Sequence, residues 1–491
     1  MKVLLINPQL QFNKNDKLTT GIIYLPIAIA SVSANLKRNN VEHKIIDLFG
    51  NNPTRIDKIN NFYILGEKIE KYLDLLSEYD AVFVYANQVI NHLATNQIVK
   101  KLREKNQNIK IITFENTQAV TAYSLKEIYK EFISTNNDFV LIGEPEEQII
   151  TICKNLDNIE ELKKIKGLIG KSFQNSSREL IQNLDILPFP DWSNIPLKNY
   201  WRLKYAHGPF FSKKYLSLLT SRGCPYPCKF CVVPETNNRR WRSKSPKRVV
   251  DEIEHYIKTY QVKEFHLEDL NPTVNEIRTK ELCDEIIKRK LNITWKIVAG
   301  TKVESIKKTE TIDLMAKAGC KYISISPESG STRIMKEIGK PFDINHAYKI
   351  VERMNKNAIF SQACFVLGYP GENENDINLT KKMIFNLTKN GIDEIAIFII
   401  SPIPGSKIFD EFEGYKSFSD LNFSPTWRED YKKLFKKRIY FYAYFIFFKT
   451  IFHPIKVLKQ IFRFFALNFQ TKMEMVPFKY LKLSFLSIFS K

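Results

Sequence analysis

Seven cysteines occur in the 491 residues, and three of them, Cys224, Cys228 and Cys231, fall within eight positions. They lie in Arg222-Gly223-Cys224-Pro225-Tyr226-Pro227-Cys228-Lys229-Phe230-Cys231, directly after the β-like run Tyr215-Leu216-Ser217-Leu218-Leu219. Thiolates suit zinc and iron–sulfur clusters. Three of them on one tight loop hold three irons of a cubane and leave the fourth open, which is what chemistry at a cluster requires. Gly223 and the two prolines suit a loop wrapped around such a group better than a helix or a strand. The plainer readings are a zinc site or three structural cysteines. Cys153, Cys283, Cys320 and Cys364 stand alone in the sequence and read as small buried hydrophobes.

Further polar or turn-forming groups close later β-like runs. Glu268-Asp269 follows Phe265-His266-Leu267, and Ser326-Pro327-Glu328-Ser329-Gly330-Ser331 follows Tyr322-Ile323-Ser324-Ile325. Gly368-Tyr369-Pro370-Gly371-Glu372 follows Cys364-Phe365-Val366-Leu367, and Pro402-Ile403-Pro404-Gly405-Ser406 comes shortly after Ile395-Ala396-Ile397-Phe398-Ile399. With Trp295-Lys296-Ile297-Val298 and the run from Tyr215 to Leu219 these make six runs separated by helical stretches. One such helix spans residues 246 to 260, with Ser245 to cap it and Pro246 to open it. Six βα units predict a partial, open relative of the parallel barrel, with its site at the carboxyl ends of the strands.

Upstream, Val3-Leu4-Leu5-Ile6, Lys44-Ile45-Ile46, Ala81-Val82-Phe83-Val84, Lys110-Ile111-Ile112 and Phe139-Val140-Leu141-Ile142 alternate with helical stretches. Five buried strands with crossovers predict a doubly wound, flavodoxin-like α/β domain, whose crevice lies at the carboxyl ends of its strands. The proline-dense stretch Leu187-Pro188-Phe189-Pro190-Asp191-Trp192 reads as an interdomain linker. The expected division is a first domain over 1–155, a linker over 156–210, a barrel over 211–420 and a basic, aromatic helical extension over 421–491.

A composition of 44% hydrophobic and 26% charged residues excludes a disordered chain. The opening residues stop at Asn7-Pro8 and read as a strand, not a signal peptide, so a cytoplasmic protein without a disulfide framework is expected. The net charge of +21 is concentrated at the end, where residues 428–491 hold 14 Lys/Arg against three Asp/Glu. No binding module accompanies those basic residues, so nucleic acid is not an expected partner. The apolar run from Tyr440 to Phe448 is well short of the ~20 residues a spanning helix needs. Ile455, Leu458, Phe462 and Phe465 share one helical face, and Lys456, Lys459 and Arg463 another. Two readings stay open: a cap packed on the barrel with its lysines solvated, or a helix lying on a membrane surface.

In this order, the cysteine loop and strand-end groups resemble the radical S-adenosylmethionine (SAM) superfamily. Asn7-Pro8, Tyr24-Leu25-Pro26, Gly143-Glu144-Pro145-Glu146-Glu147 and the 241–246 stretch extend the resemblance to its cobalamin-binding members, over most of residues 1 to 450. The resemblance implies a 4Fe-4S cluster on Cys224, Cys228 and Cys231, with SAM chelated at the open iron. It implies Phe230 near the adenine, and Asp269, Glu328 and Ser329 in the same cofactor pocket. It also implies cobalamin in the first domain, with no histidine below cobalt because Asp-x-His-x-x-Gly is absent. One departure concerns Glu115-Asn116-Thr117-Gln118, where relatives commonly carry a Gly-Gly turn; Glu115 brings bulk and charge there.

The implied function is a cobalamin-dependent methyltransferase acting on an unactivated carbon or phosphinate centre. One SAM supplies the methyl group and a second the substrate radical. The alternatives are a radical oxidoreductase, cyclase or rearranging enzyme with a vestigial cobalamin domain, and a non-catalytic iron–sulfur or cobalamin sensor. The implied partners are a small-molecule or lipid-like substrate and an electron donor such as flavodoxin or ferredoxin, with peripheral membrane contact through the tail left open.

Overall fold

The computed structural model describes residues 1–175 and 177–488. Ser176, in the stretch read as linker, and Phe489, Ser490 and Lys491, at the end of the stretch read as the tail, lie outside them.

The first sheet contains β1 (Lys2–Asn7), β2 (Glu42–Asp47), β3 (Ala81–Ala86), β4 (Lys110–Glu115), β5 (Phe139–Leu141) and β6 (Leu168–Gly170). Its spatial order is β2-β1-β3-β4-β5-β6. The first five strands run parallel and β6 joins antiparallel. The doubly wound expectation is met, with one strand more than the five apolar runs indicated. Val3 and Leu5 face α1 (Ile27–Arg38) through Ile29 and Val32, while Leu4 and Ile6 face the 92–105 helix through Ile98 and Leu102. Burial on both faces is why these strands read as continuous apolar runs.

The second sheet contains β7 (Leu216–Leu218), β8 (Glu264–Leu267), β9 (Thr294–Thr301), β10 (Cys320–Glu328), β11 (Phe360–Leu367) and β12 (Glu394–Ile399), in that spatial order. All its pairs are parallel, and among the described residues β7 and β12 do not pair, so the barrel is open. Phe265, Ile297, Ile323, Phe365 and Ile397 enter the core shared with the outer helices, such as α2 (Pro246–Tyr260). Side chains alternate along a strand, so Glu268, Val298, Ser324, Gln362 and Cys364 turn to the lumen. As read from the sequence, Ser245 caps α2, accepting from the Arg248 amide at 3.2 Å.

The proline-dense stretch is packed between the two sheets. Trp192 is buried, the Asp191 amide donates to the Ala30 carbonyl of α1, and the Tyr256 hydroxyl of α2 donates to the Pro190 carbonyl. Buried ion pairs also cross between the two sheets' domains: Arg222 with Glu146, and Arg242 with Glu144.

Three helices end the described chain: α3 (Tyr431–Phe452), α4 (Pro454–Phe465) and α5 (Lys472–Ile488). Leu434, Phe441 and Phe445 of α3 are buried in the core, as a cap requires. In α4 the expected orientation is reversed. Lys456 pairs with Asp393 at 2.9 Å and Arg463 with Glu474 at 2.9 Å, so these cations face the protein. Ile455, Leu458, Phe462 and Phe465 are 66%, 66%, 75% and 78% exposed. The reading of this stripe as packed on the barrel is therefore corrected: buried carboxylates recruit the basic side and turn the apolar side outward. No helix of the described residues is long and apolar enough to cross a membrane.

Candidate functional site

The cysteine loop leaves the barrel through a short antiparallel pair, Ser221–Arg222 with Arg242–Ser243. Gly223 then turns with φ +79°, and a Cβ there would lie 2.0 Å from the Arg240 carbonyl oxygen, so only glycine fits. Residues 224–231 form no helix or strand, and the short helix Val233–Thr236 follows. The loop is pinned from across the barrel mouth, where the Lys229 amide donates to the Ile338 carbonyl at 2.9 Å. The Val233 amide points at Cys231 Sγ, 3.4 Å away.

All seven cysteines are unpaired. Among the described residues no three His, Cys, Asp or Glu side chains are gathered to hold one metal ion. In a cubane each thiolate meets a different iron, so the three need not converge on one point. Burial pushes the Cys228 thiol up to about 11 and also raises Cys224 and Cys231, while Lys340 opposes this at all three. Lys340 is buried and ion-paired to Glu328 at 2.5 Å. It bears on the cysteine loop although its own sequence neighbourhood carries no motif.

The other expected residues take different positions. Phe230 packs edge-on against Tyr369, ring centroids 5.6 Å apart, so the cysteine loop meets the loop after β11. Buried Tyr369 leaves its hydroxyl without a partner, and that group lies within electrostatic reach of Glu328, Cys228 and Cys231. Glu328 closes β10 at φ +61°, and burial raises its carboxyl against the pull of Lys340. Ser329 is fully buried, with its hydroxyl 3.1 Å from that of Thr380. Gly330 is needed because a Cβ would lie 2.3 Å from the Leu379 carbonyl oxygen.

Asp269 is enclosed. It accepts from the Thr220 amide at 3.0 Å, the Thr220 hydroxyl at 2.8 Å and the Ser221 hydroxyl at 2.6 Å. It thus braces the exit from β7 toward the cysteines instead of presenting its carboxylate to a ligand. The acid that faces open space is its neighbour Glu268, held by His207 Nδ1 at 2.6 Å, with Tyr24 packed on the imidazole. Strand alternation turns Glu268, the other member of the acidic pair, to the lumen.

A narrow cleft runs between the domains. Its floor is the carboxyl ends of β1, β3 and β4, through Asn7, Asn87 and Asn116, and its far wall is Leu219 and Glu268 of the barrel. Gln88, Asn91 and Gln118 add further amides, and no histidine lines it. Glu115 does not obstruct it: both of its oxygens accept from Arg178 at 3.1 Å, and one also caps the Leu125 amide. Gln118, one of the lining residues, accepts from the Gly223 amide at 3.3 Å, so the cleft and the cysteine loop share a wall.

The site is thus framed by a doubly wound domain whose strand-end crevice opens onto a three-cysteine partial barrel. Residues 218–384 match the family model of the radical SAM superfamily. An uncharacterized methyltransferase of Pyrococcus horikoshii is 26% identical over 69% of this chain and 75% of its own. The cytidylyl-2-hydroxyethylphosphonate methyltransferase of Streptomyces wedmorensis is 24% identical over 84% of this chain and 81% of its own. The methyltransferase TsrM of Kitasatospora setae, solved with cobalamin and a 4Fe-4S cluster, superposes with a TM-score of 0.62 at 16% identity, covering 84% of this chain and 77% of that one. Residues 218–384 form a radical SAM domain, and the chain has the two-domain fold of the cobalamin-containing structure of TsrM. It is a radical SAM enzyme, and the family's cofactors are a 4Fe-4S cluster and SAM.

Proposed function

We propose that the protein is a cobalamin-dependent methyltransferase acting on an unactivated carbon or phosphinate centre of a small molecule. The observation that carries this reading is the strand-end cleft, mainly apolar through residues such as Ile23, Leu25 and Phe49 with asparagine and glutamine amides among them, which shares Gln118 with the cysteine loop. Its asparagines and glutamines complement the amide-rich rim of a corrinoid. Both relatives named above, and TsrM, are methyltransferases.

In this reading Cys224, Cys228 and Cys231 hold the cluster, and Phe230, Glu328 and Ser329 form the SAM pocket. Asp269 keeps the cysteine loop in place. Residues 1–155 serve as the corrinoid domain, 211–420 as the barrel, 156–210 as the connection and 421–491 as the tail. The bound cofactors supply a 5′-deoxyadenosyl radical and a transferable methyl group. Lys340 offsets negative charge at the thiolates, the Tyr369 hydroxyl is a donor awaiting an acceptor, and the packed strand ends keep water from the radical. Reduction of the cluster calls for an electron donor such as flavodoxin or ferredoxin.

The test is anaerobic reconstitution with iron, sulfide and cobalamin, followed by corrinoid quantification and electron paramagnetic resonance. One corrinoid per chain without nitrogen superhyperfine splitting is expected, since no histidine lines the cleft. A protein that takes up its cluster but no corrinoid would sink the cobalamin reading.

We also infer that the tail rests on an anionic lipid surface. The support is the outward apolar stripe of α4, together with charge: Glu474, the one acid after Asp430, is buried, and Lys459 stands exposed beside the stripe. Phosphatidylglycerol vesicles are expected to sediment the protein more than phosphatidylcholine vesicles, less so in high salt. The double variant F462S/F465S should lose that binding. Failure to sediment with anionic vesicles, or a dimer that buries this face, overturns the lipid reading.

A further inference from the structure

We propose that Lys472, the first residue of α5, is an anion anchor inside the barrel, and that the substrate carries a carboxylate, phosphate or phosphonate which this side chain holds. The proposal rests on the radical-enzyme reading, because the lumen is then where the substrate lies.

Helix α5 bridges the two edges of the open barrel. At its start the Met473 amide donates to Glu394 at the head of β12; further on, Lys482 donates to the Leu203 carbonyl and Phe478 packs on Tyr205, both ahead of β7. Entering through this gap, Lys472 reaches the lumen, where its ammonium meets the Val298 carbonyl at 3.4 Å and the Gln362 amide oxygen at 3.2 Å. Those two partners are neutral and long, and an ammonium has three donors. Its surroundings are small and polar: Ser324 donates to the same Gln362 oxygen at 3.0 Å, and Cys364 lies 3.6 Å from both. Lys472 and Cys364 are each only partly buried although they face the barrel interior.

The protein's other lumen and strand-end lysines are neutralised. Lys244 pairs with Glu252, Lys296 with Glu264 and Lys340 with Glu328. Lys449 and Lys479, which also lack a carboxylate, end on backbone carbonyls or an amide in packed helix contacts. Lys472 alone of these six ends among polar lumen side chains, on one backbone carbonyl and one side-chain amide.

The carboxylates within its electrostatic reach are already engaged. Glu394 accepts from Tyr322 and from the Met473 amide, and burial raises it to about 7; Glu268 is held by His207. Burial correspondingly pulls the Lys472 ammonium down. An incoming oxyanion would add a counter-charge at hydrogen-bond distance, where Lys472 now has only a carbonyl and an amide oxygen.

The test uses the full-length, cluster-reconstituted protein at constant chloride. Amine acylation at Lys472 is followed by mass spectrometry with inorganic phosphate, butyrate or neutral butyramide, and thermal midpoints are recorded alongside. Phosphate or butyrate is expected to slow acylation of Lys472 and raise the midpoint, butyramide to do neither, and the preferred anion separates a phosphate-bearing from a carboxylate-bearing substrate. K472M should weaken anion binding by about tenfold or more, and K472R should keep part of it. Acylation unaffected by both anions, or an undiminished anion response in K472M, overturns the proposal. If K472M does not fold, wild-type protection decides alone. Reductive SAM cleavage by the wild type is measured separately, so its failure counts against the radical reading and not against the anion site.

Discussion

Arg222, two residues ahead of Cys224, donates to both carboxylate oxygens of Glu146, at 3.2 and 2.5 Å. Both side chains are buried, and Glu146 belongs to the helix that follows the last parallel strand of the first domain. The cysteine loop is therefore locked to the corrinoid-type domain through its own leading strand. E146A leaves the buried guanidinium with Glu144 alone, at 3.4 Å, and should cost about 3 kcal/mol. Urea unfolding measures this, and iron content after reconstitution should fall with it. Although burial acts against it, Arg222 holds the Glu146 carboxyl below its ordinary value. The stability from this pair is thus complete above the unfolded carboxylate's range of about 4.3 and is lost as pH falls through the lower folded value.

G223A tests the turn into the cysteine loop. The added methyl meets the Arg240 carbonyl oxygen in a conformation that side chains avoid, at a cost of at least about 1–3 kcal/mol. A lower unfolding midpoint and less iron per chain are expected. Wild-type iron content in a normally stable variant would show that the loop does not need this turn.

Tyr369 separates cofactor binding from stability. Its buried hydroxyl has no partner in the protein, so Y369F should leave the cofactor-free protein as stable as the wild type or slightly more so. If the hydroxyl donates to bound SAM, the same change weakens SAM binding by about fivefold, or about 1 kcal/mol. Equilibrium binding to the reconstituted protein reads this directly. Unchanged affinity removes Tyr369 from the pocket.

Glu394 makes stability fall with rising pH. Burial lifts its folded value to about 7, above that of the unfolded chain. Its contribution is full below about 4.5 and is lost as pH rises through about 7, amounting to about 3 kcal/mol. E394Q should remove that slope. It should also start from lower stability, because Tyr322 and the Met473 amide donate to different oxygens and the new NH2 would face one of these donors. Denaturant midpoints across pH 5 to 8 distinguish the two proteins.

The parallel strands were legible because burial on both faces leaves continuous apolar runs, and the cysteine loop because three thiols on one turn have few other uses. The antiparallel strand Leu168–Gly170 was not, since three residues carry no periodicity. Lys340 and Tyr369 reach the cysteines only through the closure of the strand-end loops; Lys340 stands in no motif, and the turn that contains Tyr369 does not say which way its ring points. Asp269 and Glu268 form a motif as a pair, but which of them faces a ligand depends on strand alternation and on the hydroxyls of Thr220 and Ser221. Glu115 looked like an obstruction because its partner, Arg178, lies 63 positions away. The amphipathic pattern of α4 was clear, but its orientation was set by Asp393 and Glu474, which the pattern does not contain.

The central claim is that Cys224, Cys228 and Cys231 carry a cluster that cleaves SAM. The most direct measurement is 5′-deoxyadenosine formation by the anaerobically reconstituted, chemically reduced protein, with C228A and C283A in parallel. Wild type and C283A should form 5′-deoxyadenosine with matching 4Fe-4S spectra, because Cys283 is buried in the core. C228A should fall to background in both product and iron. A full cluster spectrum with undiminished cleavage in C228A, or no cleavage by a wild-type protein with a complete cluster, would contradict the account.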